Sequence, residues 1–401
     1  MKTVGLIAHG NSNWIAGVQY LQSLLYGNSL LPASQQGHFD LFLHKDIHCL
    51  SDYQSVLPYI NDTYTFNYFP GRPLPLVRKG YQMLQQVRQK QWPHYPTDNF
   101  SKLITSSNVD IVFPANEVAL HNTAYKQISW IPDFQHIYFP GYFTTLQLYK
   151  RNQDFERIMR RSDRVIVSNQ YSYNDAVQLY PAYKHKLVIL NFTMFLGEHW
   201  FQPDVSLLVR KYNLPAKYLM FPSQFWKHKN HTALFEAVHL ARQKGLDNLV
   251  LVCTGHPHDI RFPGYSHEIQ SILKRYQLTS TVRILGLLPR HDQIQLMRGA
   301  AAIIQPSLFE GWSALLEDCQ SLGKTVFVSD IPMHQEQRTD RMFFFNPRSP
   351  ESIADVLLQH WHHLQPGPDP DAEAIGAAGY YNRIQQFAKN FNSICQSTVN
   401  A

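Results

Sequence analysis

Residues 305–330 read QPSLFEGWSALLEDCQSLGKTVFVSD, and the order of residue types in this stretch decides the fold. Just upstream, residues 301–304 form an apolar run short enough for a strand buried on both faces, and Pro306 limits its continuation. A loop, 308–312, follows. Ser313 is placed to cap a helix over 314–322, in which Ala314, Leu315, Cys319 and Leu322 recur at helical spacing, and Gly323 ends it. Residues 325–328 then read as the next strand. Strand, loop, helix and strand in this order make a βα unit of a parallel sheet, whose C-terminal edge presents polar loop groups. The helix start near Ser313 offers free N–H groups and a positive dipole end to an anion such as a diphosphate. Glu310, in the loop before it, would repel that anion unless it binds something else. An ionised carboxylate only accepts hydrogen bonds, which suits neighbouring sugar hydroxyls.

The rhythm continues on both sides. Strands are predicted at 218–222, 249–254, 282–285, 301–304 and 325–328, alternating with helices near 232–244, 267–277, 291–299, 314–322 and 351–362. Regular alternation of this kind implies a parallel sheet covered on both faces. The first half is less regular and rich in aromatic residues. It opens with a strand at 3–8 and a helix at about 18–25, and further strands are predicted at 39–43, 109–113, 128–131 and 165–168, while 44–75 show no clear period. Strand-like 188–190 leads into a junction at 191–214. The tail turns at PGPDPD, 366–371, and ends in a helix with Ile384, Phe387, Phe391 and Ile394 on one side, read as a packing face.

At 401 residues the chain has room for two domains of ordinary size. With 44% hydrophobic and 16% charged residues it is globular. The net charge of +6 fits phosphate-bearing ligands or an anionic membrane surface and is too small to argue for nucleic acid. The densest basic segment, 150–164, holds Lys150, Arg151, Arg157, Arg160, Arg161 and Arg164, and reads as a solvated helix face or a membrane-surface patch. Four scattered cysteines without C-x-x-C spacing argue against a disulfide framework or a zinc site and fit a reducing cytoplasm. The start is broken by His9, Asn11 and Asn13 and reads as a first strand rather than a signal peptide. No segment reaches the roughly 18 apolar residues of a spanning helix. The expected protein is cytoplasmic and soluble, at most peripheral at the inner face of the membrane.

Three loops of the second half point to one sheet edge. After strand 218–222, SQFWKHKNH brings Lys227 and Lys229 to a helix start, where cations and free N–H groups hold a diphosphate. After strand 249–254, Gly255, His256 and Pro257 make a turn that lets a ligand approach the backbone. The third loop carries Glu310 and leads to Glu317 and Asp318. His360, His362 and His363 lack a metal-binding spacing and read as surface.

PSLFEG-W-S-x-x-x-E-D, preceded by RILGLLPRHDQIQLMRGAAAIIQ and QFWKHKNH, resembles the C-terminal domain of the family 4 retaining glycosyltransferases (glycosyl transferases group 1). The match is strong over about 215–340 and looser at Trp14 to Leu21 and at SWIPDFQH, Ser129 to His136. The resemblance implies the GT-B fold, two Rossmann-like α/β domains facing a central cleft. The domains would be 1–190 on the acceptor side and 191–375 on the nucleotide-sugar side, with a helix at 376–401 crossing back to the first. It implies metal-independent, retaining transfer from a nucleotide sugar, such as a GDP- or UDP-sugar, to a glycan or lipid-linked acceptor in polysaccharide or glycoconjugate synthesis, with no cofactor. Departures from the family pattern also admit a nucleotide-sugar-binding module without transfer activity, or an epimerase on the same fold.

Residue by residue, the resemblance assigns catalytic roles to Glu310 on the donor sugar, Lys229 on the phosphates and His136 beside the sugar, with Asp133 as the alternative polar group in that loop. The donor would be bound by Gly17, Lys227, Lys229, Gly255, Glu310, Gly311, Trp312, Ser313, Glu317 and Asp318. The family's E-x7-E motif puts its second acid, the ribose contact, at Asp318, one methylene shorter than the usual glutamate, and leaves Glu317 as the other candidate. Gln224 stands where an arginine usually precedes the phosphate lysine, and Ala16 where a first glycine precedes Gly17. His9 and Asn11 are acceptor-side candidates.

Overall fold

A computed structural model describes residues 2–10, 15–66, 99–116, 125–201 and 205–400. The chain divides into two compact units: residues 1–130, 156–166 and 385–401 make one, and residues 131–155 with 167–384 the other.

Seven strands form the first sheet: β1 Thr3–Ile7, β2 His38–His44, β3 Thr63–Phe66, β4 Ile111–Phe113, β5 Lys126–Ile131, β6 Arg164–Val167 and β7 Leu187–Ile189, in the order β3-β2-β1-β4-β5-β6-β7. The pairs β1–β2, β1–β4, β2–β3 and β4–β5 are parallel. The unpredicted β3 is an edge strand with one buried residue in four, so it lacks the apolar run that betrays an inner strand. Helix Ile15–Ser29 packs Val18, Leu21, Leu24 and Leu25 fully inward. The last residues of the chain complete this unit's core: Phe391 meets Phe113 at 4.8 Å between ring centroids, and Phe387 meets Tyr20 edge-on at 5.2 Å.

The second sheet contains β8 Leu219–Pro222, β9 Leu251–Thr254, β10 Val282–Ile284, β11 Ala302–Gln305, β12 Val326–Ser329 and β13 Met342–Phe345, in the order β10-β9-β8-β11-β12-β13, all parallel. Strands β8, β9, β11 and β12 are buried at every residue, as continuous apolar runs require when helices cover both faces. Their core takes Leu234, Phe235 and Val238 from helix His231–Gln243, with Ile353, Leu357 and Trp361 from the segment after β13. Strand β13 also went unpredicted. It is an edge strand reached through a helix of five residues, Pro332–Glu336, too short to register as a βα period.

Helix Pro370–Asn400 runs unbroken from the predicted turn to the chain end. Gly323, at φ +59°, sits so close to its start that a Cβ there would lie 2.2 Å from the Ala372 carbonyl oxygen. Among the described residues no helix is long and apolar enough to cross a membrane.

Candidate active site

In the second sheet the chain leaves β8 toward β9 on one side, while β11 lies on the other. The loops after β8 and β11 therefore flank the switch point, where open α/β sheets leave a crevice at the strand ends. The loop after β8 makes a 3-10 turn, Lys227–Lys229, and Asn230 follows in the left-handed region at φ 64°. Asn230 Nδ2 donates to the carbonyls of Pro306 (3.1 Å) and Pro347 (2.8 Å), and Leu308 N donates to His228 O (2.8 Å). The two loops are thus laced together, and Lys229 Nζ reaches Glu310 Oε1 at 2.6 Å.

Both partners of this pair are largely buried, at 15% and 10% side-chain exposure. Burial alone would push the Glu310 carboxyl up. The bonded Lys229 ammonium outweighs burial and holds it at about 2. Glu310 is therefore an ionised acceptor at neutral pH. Burial, reinforced by Lys229, depresses His228 to about 3, and burial depresses His334 to about 4, so both rings are neutral. His334 Nδ1 lies 3.0 Å from the Ser329 carbonyl and must donate there, which leaves Nε2 a buried acceptor without a partner among the described residues. Ser329 Oγ in turn donates to Ser307 O (2.6 Å), a further tie on the loop that carries Glu310.

One line of hydrogen bonds connects Glu310 to the helix behind it. Gln305 Nε2 donates to Glu310 Oε1 (2.8 Å), and Ser313 Oγ donates to Gln305 Oε1 (2.8 Å). Ser313 caps helix Ala314–Ser321, its Oγ accepting from Leu316 N. Gln337 accepts from Ser313 N (2.9 Å) and donates to Ser313 O (3.1 Å) and Glu317 Oε1 (3.0 Å). Gln305, Gln337, His228 and His334 were not singled out from sequence, because an amide or imidazole carries no spacing signature of its own.

The two adjacent acids face different ways. Glu317 lies 3.6 Å from Arg383 Nε of the long C-terminal helix, and Arg383 also donates to Ser321 Oγ (2.7 Å). That helix covers this face so closely that a Cβ on Gly376 would sit 2.6 Å from Ser321 O. Asp318, about 100° further round, is held by both terminal nitrogens of Arg290, at 2.8 and 2.5 Å.

The comparisons with known proteins can be read on this geometry. Residues 209–365 match the family model of the glycosyl transferases group 1. Over this stretch the chain is similar to the group 1 glycosyl transferases. No curated protein matches the chain by sequence. Among solved structures it is similar to HepE of Anabaena in complex with UDP and glucose, with a TM-score of 0.70 and 14% identity over 99% of this chain and 100% of that one. A glycosyltransferase from Rickettsia africae follows at 0.64 and 15%, covering 99% and 98%, and a sucrose-phosphate synthase from Thermosynechococcus elongatus at 0.65 and 14%, covering 99% and 97%. At such identities the likeness is one of fold: two parallel-sheet α/β domains of the GT-B type.

Within the matched stretch, 209–365, the remaining candidates take varied places. Lys227 Nζ lies 4.9 Å over the Phe262 ring, and its backbone N donates to Asp259. Gly255, at φ +112°, is pressed on the loop after β8: a Cβ would meet Ser223 O at 2.4 Å, so what approaches its backbone is the protein itself. Gln224 is tied to the same turn, its Oε1 accepting from His256 N (2.9 Å). Trp312 Nε1 donates to Phe192 O (2.8 Å) and anchors the junction segment. Gly311 packs on residues 132–133, where a Cβ would meet Pro132 O at 2.4 Å.

That close approach brings the loop of His136 beside the loop of Glu310, in the same unit. Asp133 binds Arg151 (2.7 Å), and Arg151 Nε donates to His136 Nδ1 (3.2 Å). With Nδ1 accepting, Nε2 carries the hydrogen and donates to Asn152 Oδ1 (3.0 Å). Burial and Arg151 lower the His136 pKa, keeping the ring neutral. Both ring nitrogens are engaged in shaping this loop, and Arg151 is drawn into it from the basic segment. In the first unit Gly17 lies buried in the first turn of helix Ile15–Ser29, and His9 N donates to Tyr53 Oη (3.3 Å). Asn11 and Trp14 fall outside the described residues.

Proposed function

We propose that the chain is a retaining, metal-independent glycosyltransferase that moves a sugar from a nucleoside diphosphate to an acceptor hydroxyl. The observation that carries this is the Lys229–Glu310 pair at the switch point of the second sheet, next to the Ser313 helix start. Among the described residues the amides of Ala314 and Leu315 have no partner there. They and the Lys229 ammonium suit a departing diphosphate, while Glu310, fixed by Gln305 and ionised, suits the donor sugar's hydroxyls. The bond from the anomeric carbon to the phosphate oxygen breaks, the acceptor oxygen bonds that carbon on the same face, and the acceptor proton passes to the leaving phosphate oxygen. His136 acts by holding the Asp133 and Arg151 loop against Gly311 rather than by moving a proton.

For the ribose we take Asp318, at the position of the family's second acid and oriented by Arg290, with Glu317, which faces Arg383 and the C-terminal helix, as the alternative. HepE was crystallised with UDP-glucose, which makes UDP-sugars the first donors to test, with GDP-sugars beside them. A glycan or lipid-linked acceptor, and work at the inner membrane face, fit the exposed Lys150 and Arg160 of helix Thr145–Arg161.

The test is transfer or hydrolysis from a panel of nucleotide sugars. Glu310→Ala is expected to lower kcat about 10²–10³-fold with far-ultraviolet circular dichroism unchanged. Asp318→Asn should weaken the nucleotide about tenfold, and Glu317→Gln by no more than about twofold. Equal turnover in wild type and Glu310→Ala would remove Glu310 from the site. Nucleotide-sugar binding without product from any acceptor would instead favour a binding module.

A further inference from the structure

The diphosphate site leaves a question of charge, and resting on the transferase reading it has an answer in the structure. Lys229 is already matched by Glu310 at 2.6 Å, and Lys227, in the same turn, points at the Phe262 ring. Gln224, at the start of that loop, is neutral. A leaving diphosphate carries more negative charge than one shared ammonium neutralises. The loop after β9, the strand next to β8, supplies the missing cation from another direction.

Arg261 of that loop reaches back to the Lys227–Lys229 turn. Its Nη2 lies 3.4 Å from His228 Nδ1, its Nη1 donates to Gln135 Oε1 (2.9 Å), and its Nε lies 3.4 Å from Asp259 Oδ1. The guanidinium also sits over the Trp226 ring at 5.9 Å and the Phe143 ring at 5.7 Å. Asp259, whose side chain is fully buried, pins both cationic segments by accepting from Lys227 N (3.0 Å) and Arg261 N (2.9 Å). Two of the three side-chain partners, Gln135 and His228, are neutral, and the charged one, Asp259, meets only Nε, at the long distance of 3.4 Å, which leaves the terminal nitrogens facing neutral groups. Of its five N–H groups two have no partner among the described residues, and the side chain keeps 19% exposure.

We infer that Arg261 is a diphosphate-binding residue, providing from the β9 loop the second cation that Gln224 does not provide from the β8 loop. A planar fork held by stacking and hydrogen bonds, with free N–H groups next to the residue preceding Lys229, is pre-organised for a phosphate oxygen pair. The alternative is a purely architectural bridge between loops 132–143 and 226–229, and affinity measurements separate the two.

Full-length wild type, Arg261→Gln and Arg261→Lys are titrated calorimetrically with UDP and with uridine, or with whichever of the guanosine, adenosine and thymidine pairs gives the larger thermal shift. Arg261→Gln is expected to weaken the diphosphate about tenfold or more and the nucleoside less than about twofold. Arg261→Lys, which keeps the charge but not the fork, should fall between. An unchanged diphosphate affinity, or an equal loss for diphosphate and nucleoside, overturns the assignment while leaving the transferase reading intact. A wild type that binds none of the four diphosphates overturns both.

Discussion

Glu310 shows how a single side chain acquires its chemistry. Its place in the loop that precedes Ser313 was readable from the sequence, but its ionisation depends on Lys229, 81 positions away. The rings of His228 and His334 add a second property that no spacing announces. Both are buried and neutral in the fold, at about 3 and about 4, against 6.5 for an unperturbed ring. As pH falls below 6.5 the unfolded chain takes up these protons first, so stability is full above 6.5 and is lost toward 4 and 3. Each ring contributes about 1.4 kcal/mol per pH unit in that window. Glu310 acts in the same direction lower down, stabilising above 4.5 and losing that contribution as pH falls toward 2. The urea midpoint should therefore drop steeply from pH 6.5 to 4.5, and His334→Asn should flatten the slope. An unaltered slope in the variant would move the titration elsewhere.

At the scale of the element, the stretch 305–330 behaves as its residue order demands. Pro306 ends β11, Ser313 caps, and Gly323 terminates through its left-handed conformation. Gly323 also carries a packing constraint that came from the far end of the domain. Gly323→Ala combines left-handed strain with a clash on the Ala372 carbonyl and is expected to cost about 2 kcal/mol or more, read from thermal unfolding. If its melting temperature matched wild type, the helix start near residue 370 would not be packed there. The inner strands were legible because they are continuous apolar runs. Edge strand β3 was not, since its partly exposed TYTF lacks an apolar run, and β13 was missed because the five-residue helix before it is too short to register as a βα period. Gly255 was legible as a special backbone position. Only the neighbouring strand's loop, distant in sequence, shows that protein backbone rather than ligand occupies the space a Cβ would need.

For the whole molecule, the last residues matter more than a terminal helix usually does. Phe387 and Phe391 are buried in the first unit, nearly 400 residues from β1, so that unit's core is incomplete until the chain end arrives. Phe391→Ala should cost about 3–5 kcal/mol and lower the urea midpoint of the first unit. A midpoint equal to wild type would mean that the aromatic cluster around Phe113 closes without it. By itself the sequence determined the doubly wound parallel architecture, the cap and stop of the helix behind Glu310, and the loops that meet at one sheet edge. These follow from local periodicity and turn chemistry, which act within one or two turns of chain. Tertiary structure alone decided which charges are shared, that Glu317 faces Arg383 while Asp318 faces Arg290, and that Arg261 lies against the His228 ring. Those outcomes depend on distances between strands that are neighbours in the sheet and strangers in the sequence, and electrostatics at such short range is set by where side chains end up, not by their order.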